Sequence, residues 1–198
     1  MKKTIGNFFS TLMLTVGLTF LVTSCEKQKN QHKNEHPVFC APIPDSLNVP
    51  AGNRLELQAF AKGFQIYQVK GSAGDPTVFS WVNIAPLATL YENPDFTKQV
   101  IQHYAGPTWE FTKGPQKGEK VVATKLKGVT KDATAIQWLL LQAVDSLSTA
   151  SNKITFIQRI CTAGGLAPTT GADEAHVGKL DSIPYTASYL FYTASGAY

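Results

Sequence analysis

The residues best suited to chemistry in this chain lie together in one short segment, Ile101–Phe111. A histidine, two aromatic residues and a carboxylate flank a Gly-Pro break in it: His103, Tyr104, Trp109 and Glu110. His103 and Glu110 could face each other across the turn as a general base and the carboxylate that orients it. Such a base needs a nucleophile, for which Thr108, Thr162 and Tyr104 are candidates by position only. The same histidine could instead be a hydrogen-bonded corner residue that ties two strands, because geometry must precede any catalytic role.

A second chemical feature is Arg159, which lies within the apolar stretch Ile154–Ile160. An unpaired charge is costly to bury, so Arg159 is expected to have a carboxylate partner, and Glu110 is the candidate. This predicts one polar cluster of His103, Trp109, Glu110 and Arg159, inside the domain or at its rim. A structural ion pair and a functional site are both compatible with such a cluster.

Large aromatic residues form the third feature. They could line a groove that binds a sugar or another aromatic group, although such residues mostly fill cores. Trp138 is expected in the core, and the position of Trp109 stays open. The complete set is Trp81, Trp109, Trp138, Tyr67, Tyr104, Tyr185 and Tyr189.

Recognisable cofactor motifs are missing from the sequence. It contains no zinc-binding pattern, phosphate-binding loop, dinucleotide fingerprint or nucleophile elbow, so we expect no cofactor and no metal. Two functions stay open. One is a membrane-tethered binding or structural domain whose partner is a carbohydrate or another envelope component. The other is a hydrolase of an envelope or extracellular polymer that uses His103 and Glu110.

The N-terminus predicts export and lipid attachment. Met1-Lys-Lys3 precedes an apolar run from Ile5 to Val22, as in a secretory signal. The run ends in Val22-Thr-Ser-Cys25, which resembles the lipobox of bacterial lipoproteins. Residues 1–24 are therefore expected to be a lipoprotein signal peptide, with Cys25 acylated by fatty acids such as palmitate on the bacterial cell envelope. An ordinary cleaved signal or a weak transmembrane anchor is the alternative.

Residues 25–36 are expected to be a flexible tether, because no apolar side chain follows Cys25 in this segment. Five of the 18 basic and two of the 14 acidic residues precede Pro37, which leaves 13 and 12 in the remainder. This near-neutral domain offers no basic face for nucleic acid. The domain lies outside the cytoplasm if the N-terminal prediction holds.

Residues 37–198 predict a single β-rich domain. The sequence predicts an extended arm on the surface over Val38–Pro50. It also predicts seven to nine short strands after this arm, at spacings of 8–12 residues and with long loops. This pattern indicates an antiparallel β-sandwich or distorted β-barrel. Gly63 interrupts the alternation of the first strand, which predicts a bulge or hairpin there. Ala85–Pro94 is expected to be loop, and Ile136–Val144 is expected to be a buried strand rather than a helix.

Two cysteines remain after Cys25. In an exported protein, Cys40 and Cys161 could form a disulfide, or they could be two separate buried thiols. Geometry rather than their number decides between these alternatives.

Six segments of the domain, in chain order, carry a resemblance to a known family: Gly63–Tyr67, His103–Glu110, Trp138–Leu141, Ile157–Arg159, Thr162–Gly165 with Pro168, and Pro184–Ala187. On these segments the chain resembles the domain-of-unknown-function family numbered 3455, found in secreted proteins. The resemblance runs from about Asn48 to Tyr192 and implies a fold unit without any assigned activity. The family pattern has cysteines where this sequence has Gln68 and Ala172, which implies that Cys40 and Cys161 replace a lost bridge.

Overall fold

A computed structural model describes residues 39–146 and 153–196. These residues form eight antiparallel strands that close into one barrel. The predicted signal peptide, the acylation site at Cys25 and the tether lie outside the described residues. No helix in the described part of the chain is long and apolar enough to cross a membrane.

The strands follow one another around the barrel in chain order, and the last pairs with the first. Closure leaves no unpaired edge strand, which explains how one sheet can enclose a core by itself. The all-β prediction is confirmed, and the barrel is the form that the fold takes. The bounds are β1 Asn53–Gly71, β2 Phe79–Tyr91, β3 Gln99–Tyr104, β4 Thr108–Phe111, β5 Lys120–Val129, β6 Trp138–Ser146, β7 Ile154–Gly164 and β8 Leu180–Ala194.

Strand β1 passes straight through Gly63, so the predicted bulge or hairpin at this residue is wrong. Gly63 pairs with Ala88 on one side and Tyr185 on the other. A Cβ atom at Gly63 would lie 2.6 Å from Ala88 Cβ and closer still to Leu87 O. The glycine is required by this close approach of β2, and the inward-facing positions of β1 keep their alternation through it.

The predicted loop over Ala85–Pro94 is also wrong, because β2 continues as far as Tyr91. Pro86 lies opposite Gln65 of β1, but the pairing of β2 with β3 begins only at Ala88. At Pro86 the strand therefore has a ladder on one side only, where a proline is tolerated.

By contrast, the prediction of a strand in the apolar run Ile136–Val144 is confirmed by β6.

Besides the core inside the barrel, an apolar cluster lies on the outside of the barrel wall, beneath the N-terminal arm. The arm forms a short 3-10 turn over Asp45–Leu47, and Leu47 is fully buried in this cluster. Gln158 Nε2 donates to Leu47 O at 2.7 Å and fixes the turn to β7. Trp138, expected in the core, belongs to this outer cluster, whose other buried members are Leu140, Ile160 and Leu190.

Candidate functional site

The strand register brings chemistry-bearing side chains together inside one half of the barrel. His103 of β3 lies opposite Trp109 of β4. On the far wall Arg159 of β7 pairs with Leu139 of β6 and with Tyr189 of β8. Directly opposed residues on adjacent strands point to the same face of a sheet. Five inward-facing residues from five strands therefore surround one space.

That space is a cavity of about 140 Å³. Its described lining combines cations, amides, a histidine and aromatic and aliphatic surface, and no carboxylate is found among these described residues. The lining residues are Gln65, Asn83, Pro86, His103, Pro107, Trp109, Lys125, Leu139, Leu141, Arg159 and Tyr189.

His103 is buried against the cavity as a neutral ring. Its Nδ1 lies 2.9 Å from the carbonyl oxygen of Thr108, which can only accept, so Nδ1 carries the proton and Nε2 is an acceptor. Burial lowers the pKa of His103 from 6.5 to about 3; the hydrogen bond to Thr108 opposes this shift, and the nearby Arg159 charge adds to it. His103 is therefore uncharged at neutral pH.

Trp109 forms the aromatic wall of the cavity. Its ring stacks on His103 and meets Tyr189 edge-on, with centroids 4.2 Å and 5.7 Å apart. Trp109 also contacts Phe191 of β8, and both residues belong to the apolar core inside the barrel. Only 1% of Trp109 is exposed, and its buried Nε1 has no hydrogen-bond partner among the described residues. A buried donor left without a partner is rare in native structures and calls for an explanation.

Gln65 presents a second donor of the same kind. Its Oε1 accepts from Asn83 Nδ2 at 2.9 Å, whereas its buried Nε2 has no partner in the described part of the chain. The side chain packs against Gly165, where φ is +81° and a Cβ atom would lie 3.3 Å from Gln65 Cγ. The Gly164-Gly165 turn thus makes room for Gln65 beside the cavity.

Two cations complete the lining. Arg159 is half-buried, and its Nε and Nη2 donate to the carbonyl oxygen of Gln137 at 3.1 Å and 2.9 Å. Lys125 Nζ donates to Gln137 Oε1 at 2.9 Å. No carboxylate of the described residues forms an ion pair with either cation. A neutral carbonyl therefore satisfies part of the guanidinium, and no counter-ion for its charge is found in the described part of the chain.

The expected pairing of Arg159 with Glu110 is wrong, and so is the facing pair of His103 and Glu110. Glu110 follows Trp109 in β4, so its side chain points to the outer face while that of Trp109 points inward. On that outer face Glu110 Oε2 accepts from Tyr104 Oη at 2.8 Å and lies 3.5 Å from Lys120 Nζ.

Thr162 does not join the cavity either. It belongs to an irregularity in β7 between Ile160 and Ala163, and its hydroxyl donates to Ile136 O at 2.6 Å. The same irregularity contains Cys161, which has φ +52° and is joined to Cys40 by a disulfide with Cα atoms 5.7 Å apart. Of the six candidate residues, the structure gathers His103, Trp109 and Arg159 at one site. Tyr104 and Glu110 lie together on the outer face, and Thr162 hydrogen-bonds to Ile136 O elsewhere.

Residues 50–193 match the family model described as Protein of unknown function (DUF3455). The chain belongs to the DUF3455 family. No curated protein and no solved structure matches it. The resemblance in sequence is thereby confirmed, and the cavity described above lies within a DUF3455 domain whose chemistry must be argued from its own residues.

Sequence reasoning missed Gln65, Asn83 and Lys125. Gln65 has the inward parity of Ala59 and Ala61, so a signal was present: a polar residue at a core position, visible once the alternation is carried through Gly63. Lys125 follows the same alternation as the inward-facing Val121 and Ala123.

No group of three or more histidine, cysteine, aspartate or glutamate residues suited to a metal occurs among the described residues.

Proposed function

We propose that this DUF3455 protein is a lipid-anchored binding protein of the bacterial envelope, and that one half of its barrel binds a small molecule. The observation that carries the proposal is the buried Trp109 Nε1 donor, which has no hydrogen-bond partner among the described residues and belongs to a residue that lines the cavity. Such a group costs about 1–3 kcal/mol when it is left unsatisfied. A ligand acceptor at this position would recover that free energy.

The size of the cavity supports a small ligand. A cavity of about 150 Å³ holds a benzene molecule in another protein. The cavity of about 140 Å³ found here is of the same order. Its walls combine apolar surface with a few fixed polar groups, which is the usual composition of a small-molecule site.

Binding is favoured over hydrolysis by the placement of the titratable groups. The hydrolase hypothesis needs His103 beside Glu110, and these side chains lie on opposite faces of the β3–β4 hairpin. His103 faces the cavity with Trp109, whose donor suits ligand recognition. The groups around the cavity thus support recognition of a ligand more directly than attack on one.

The ligand-binding part of the proposal is tested with four benzene-sized probes: benzoate, benzamide, benzyl alcohol and benzylammonium. Saturation-transfer NMR and the indole resonance of Trp109, assigned with Trp109→Phe, report binding. At least one probe should bind the wild type and shift that resonance. Leu139→Trp fills the cavity and should abolish binding. Leu87→Trp is the matched control, because Leu87 is exposed on β2 away from the cavity.

Failure of all four probes to bind the wild type would overturn the ligand-binding proposal. Binding that survives unchanged in Leu139→Trp would overturn it as well, since the probe would then sit elsewhere.

The anchoring part of the proposal rests on the sequence around Cys25, Val22-Thr-Ser-Cys25. The wild-type protein expressed in a bacterium should fractionate with membranes and carry acyl mass on Cys25. Cys25→Ser should lose both, because the acyl chains hold the domain through about 0.8 kcal/mol per buried methylene. Unchanged membrane association of the variant, with no acyl mass on the wild type, would end the lipoprotein hypothesis.

A further inference from the structure

We infer that the ligand of the barrel cavity is a small organic carboxylate, with its anionic group near Arg159 and Lys125 and its apolar body against Trp109. This inference rests on the proposed binding function and adds the chemical class of the ligand.

The charged residues of the lining indicate the sign of the ligand's charge. Arg159 and Lys125 both line the cavity, and among the described residues no aspartate or glutamate lines it. Their hydrogen bonds go to the carbonyl and side-chain oxygens of Gln137, which are neutral. Arginine without a carboxylate partner at a partly buried position is well suited to an incoming carboxylate, because its planar fork matches that group.

The charge of Arg159 affects the pKa of three titratable groups. It contributes to lowering the pKa of His103 and opposes the burial that raises the pKa of Tyr67 and of Tyr185. A positive charge at a half-buried position, with a second cation on the same cavity wall, favours an anionic ligand over a neutral or cationic one. His103, being neutral, adds no positive charge that the ligand would have to balance.

The apolar part of the lining separates an organic anion from an inorganic one. The cations share the cavity with five apolar or aromatic residues: Leu139, Leu141, Pro86, Trp109 and Tyr189. Inorganic phosphate would leave that apolar surface in contact with water. A carboxylate that carries a ring or a short apolar chain would cover it, with a gain of about 25 cal/mol for each Å² removed from water.

Calorimetry at low ionic strength tests the inference with benzoate, benzamide, benzylammonium and inorganic phosphate. Benzoate and benzamide have nearly the same shape and differ in charge. We expect benzoate to bind about tenfold more tightly than benzamide or better, as charge-assisted hydrogen bonds imply. Benzylammonium should bind most weakly, and phosphate should not compete with benzoate.

The contribution of the cations is isolated by Arg159→Met and Lys125→Met. Each should reduce benzoate affinity by about tenfold and change benzamide affinity little. Arg54→Met is the control, because it removes the same charge from a residue that does not line the cavity. Lys125 is exposed on β5, so Lys125→Met gives a result even if Arg159→Met fails to fold.

The outcomes separate this inference from the proposed function. Equal affinity for benzoate and benzamide would overturn the carboxylate inference while the binding function stands. Displacement of benzoate by phosphate at similar concentration would overturn the organic character of the ligand. Benzoate affinity that stays unchanged in both Arg159→Met and Lys125→Met would overturn the placement of its charge. A wild type that binds none of the probes would remove the binding function itself.

Discussion

His103 and Trp109 stack face to face inside the barrel, with ring centroids 4.2 Å apart and planes inclined by only 9°. The pairing of β3 with β4 sets these rings opposite each other, and the Thr108 carbonyl fixes the histidine through Nδ1. The stack gives the cavity a flat aromatic wall whose histidine is held neutral. Protonation would place a charge in a buried position, close to Arg159.

The first prediction follows from that neutral histidine. Its pKa is about 3 in the folded protein and near 6.5 when the ring is in water. Above pH 6.5 neither state binds this proton, and His103 gives no pH dependence. Between pH 6.5 and about 3 only the unfolded state is protonated, so stability falls with falling pH by up to about 1.4 kcal/mol per unit. Denaturant titrations across this range should show the loss in the wild type.

His103→Gln should remove this part of the pH dependence, so the difference in unfolding free energy between wild type and variant should shrink as the pH falls. His176→Gln is the control, because His176 is half-exposed at the end of the short 3-10 turn Glu174–His176 and its Nδ1 lies 2.6 Å from the exposed Asp173 carboxylate. Parallel curves for the wild type and His103→Gln from pH 7 to pH 4 would contradict a buried, neutral His103.

The second prediction concerns Glu110 and Arg159, which lie on different sides of the barrel wall. Glu110→Gln should cost less than about 1 kcal/mol, since its contact with Lys120 is a partly exposed surface ion pair. The effects of Glu110→Gln and Arg159→Met on unfolding should be additive within about 0.5 kcal/mol in a double-mutant cycle. A coupling above about 1 kcal/mol would show that the two side chains interact.

The sequence predicted the strands better than it predicted the site. Alternation and turn residues identify strands because they are local, and the apolar run Ile136–Val144 accordingly lies in a strand. The direction of a side chain depends on register, which neighbouring strands fix. Gly63 illustrates this: the local pattern predicts a break there, although the approach of Ala88 makes it a continuous part of β1. Gln65 was consequently missed as an inward-facing residue.

The error over Glu110 has the same origin. The predicted pair follows from the need of Arg159 for a counter-charge and from the position of Glu110 just past the Gly-Pro corner, whereas in a strand adjacent residues point to opposite faces. Trp109 points inward and Glu110 outward. Strand parity within Thr108–Phe111 would have assigned only one of the two to the core, but which one depends on the closure of the barrel.

The third prediction tests the close packing of β1 on β2. Gly63→Ala should destabilise the domain by about 3 kcal/mol or more, because the added methyl group meets backbone atoms of Leu87 and Ala88 that cannot rotate away. Gly74→Ala is the matched control: it lies in a loop with no atom within 4 Å of the new Cβ and should change stability by less than about 0.5 kcal/mol. Similar unfolding midpoints for the two variants would contradict the register at Gly63.

The last prediction concerns the disulfide between Cys40 and Cys161, which joins the N-terminal arm to β7 across 121 residues of sequence. In the chain-entropy model a loop of this size stabilises the folded state by about 5 kcal/mol, and measured values are usually lower. Cys40→Ser with Cys161→Ser should therefore lower the unfolding free energy by about 2–5 kcal/mol. The reduced wild type is the control and should unfold like the double variant. Alkylation of exported, unfolded protein should leave both residues unlabelled, whereas two labelled thiols would contradict the bond.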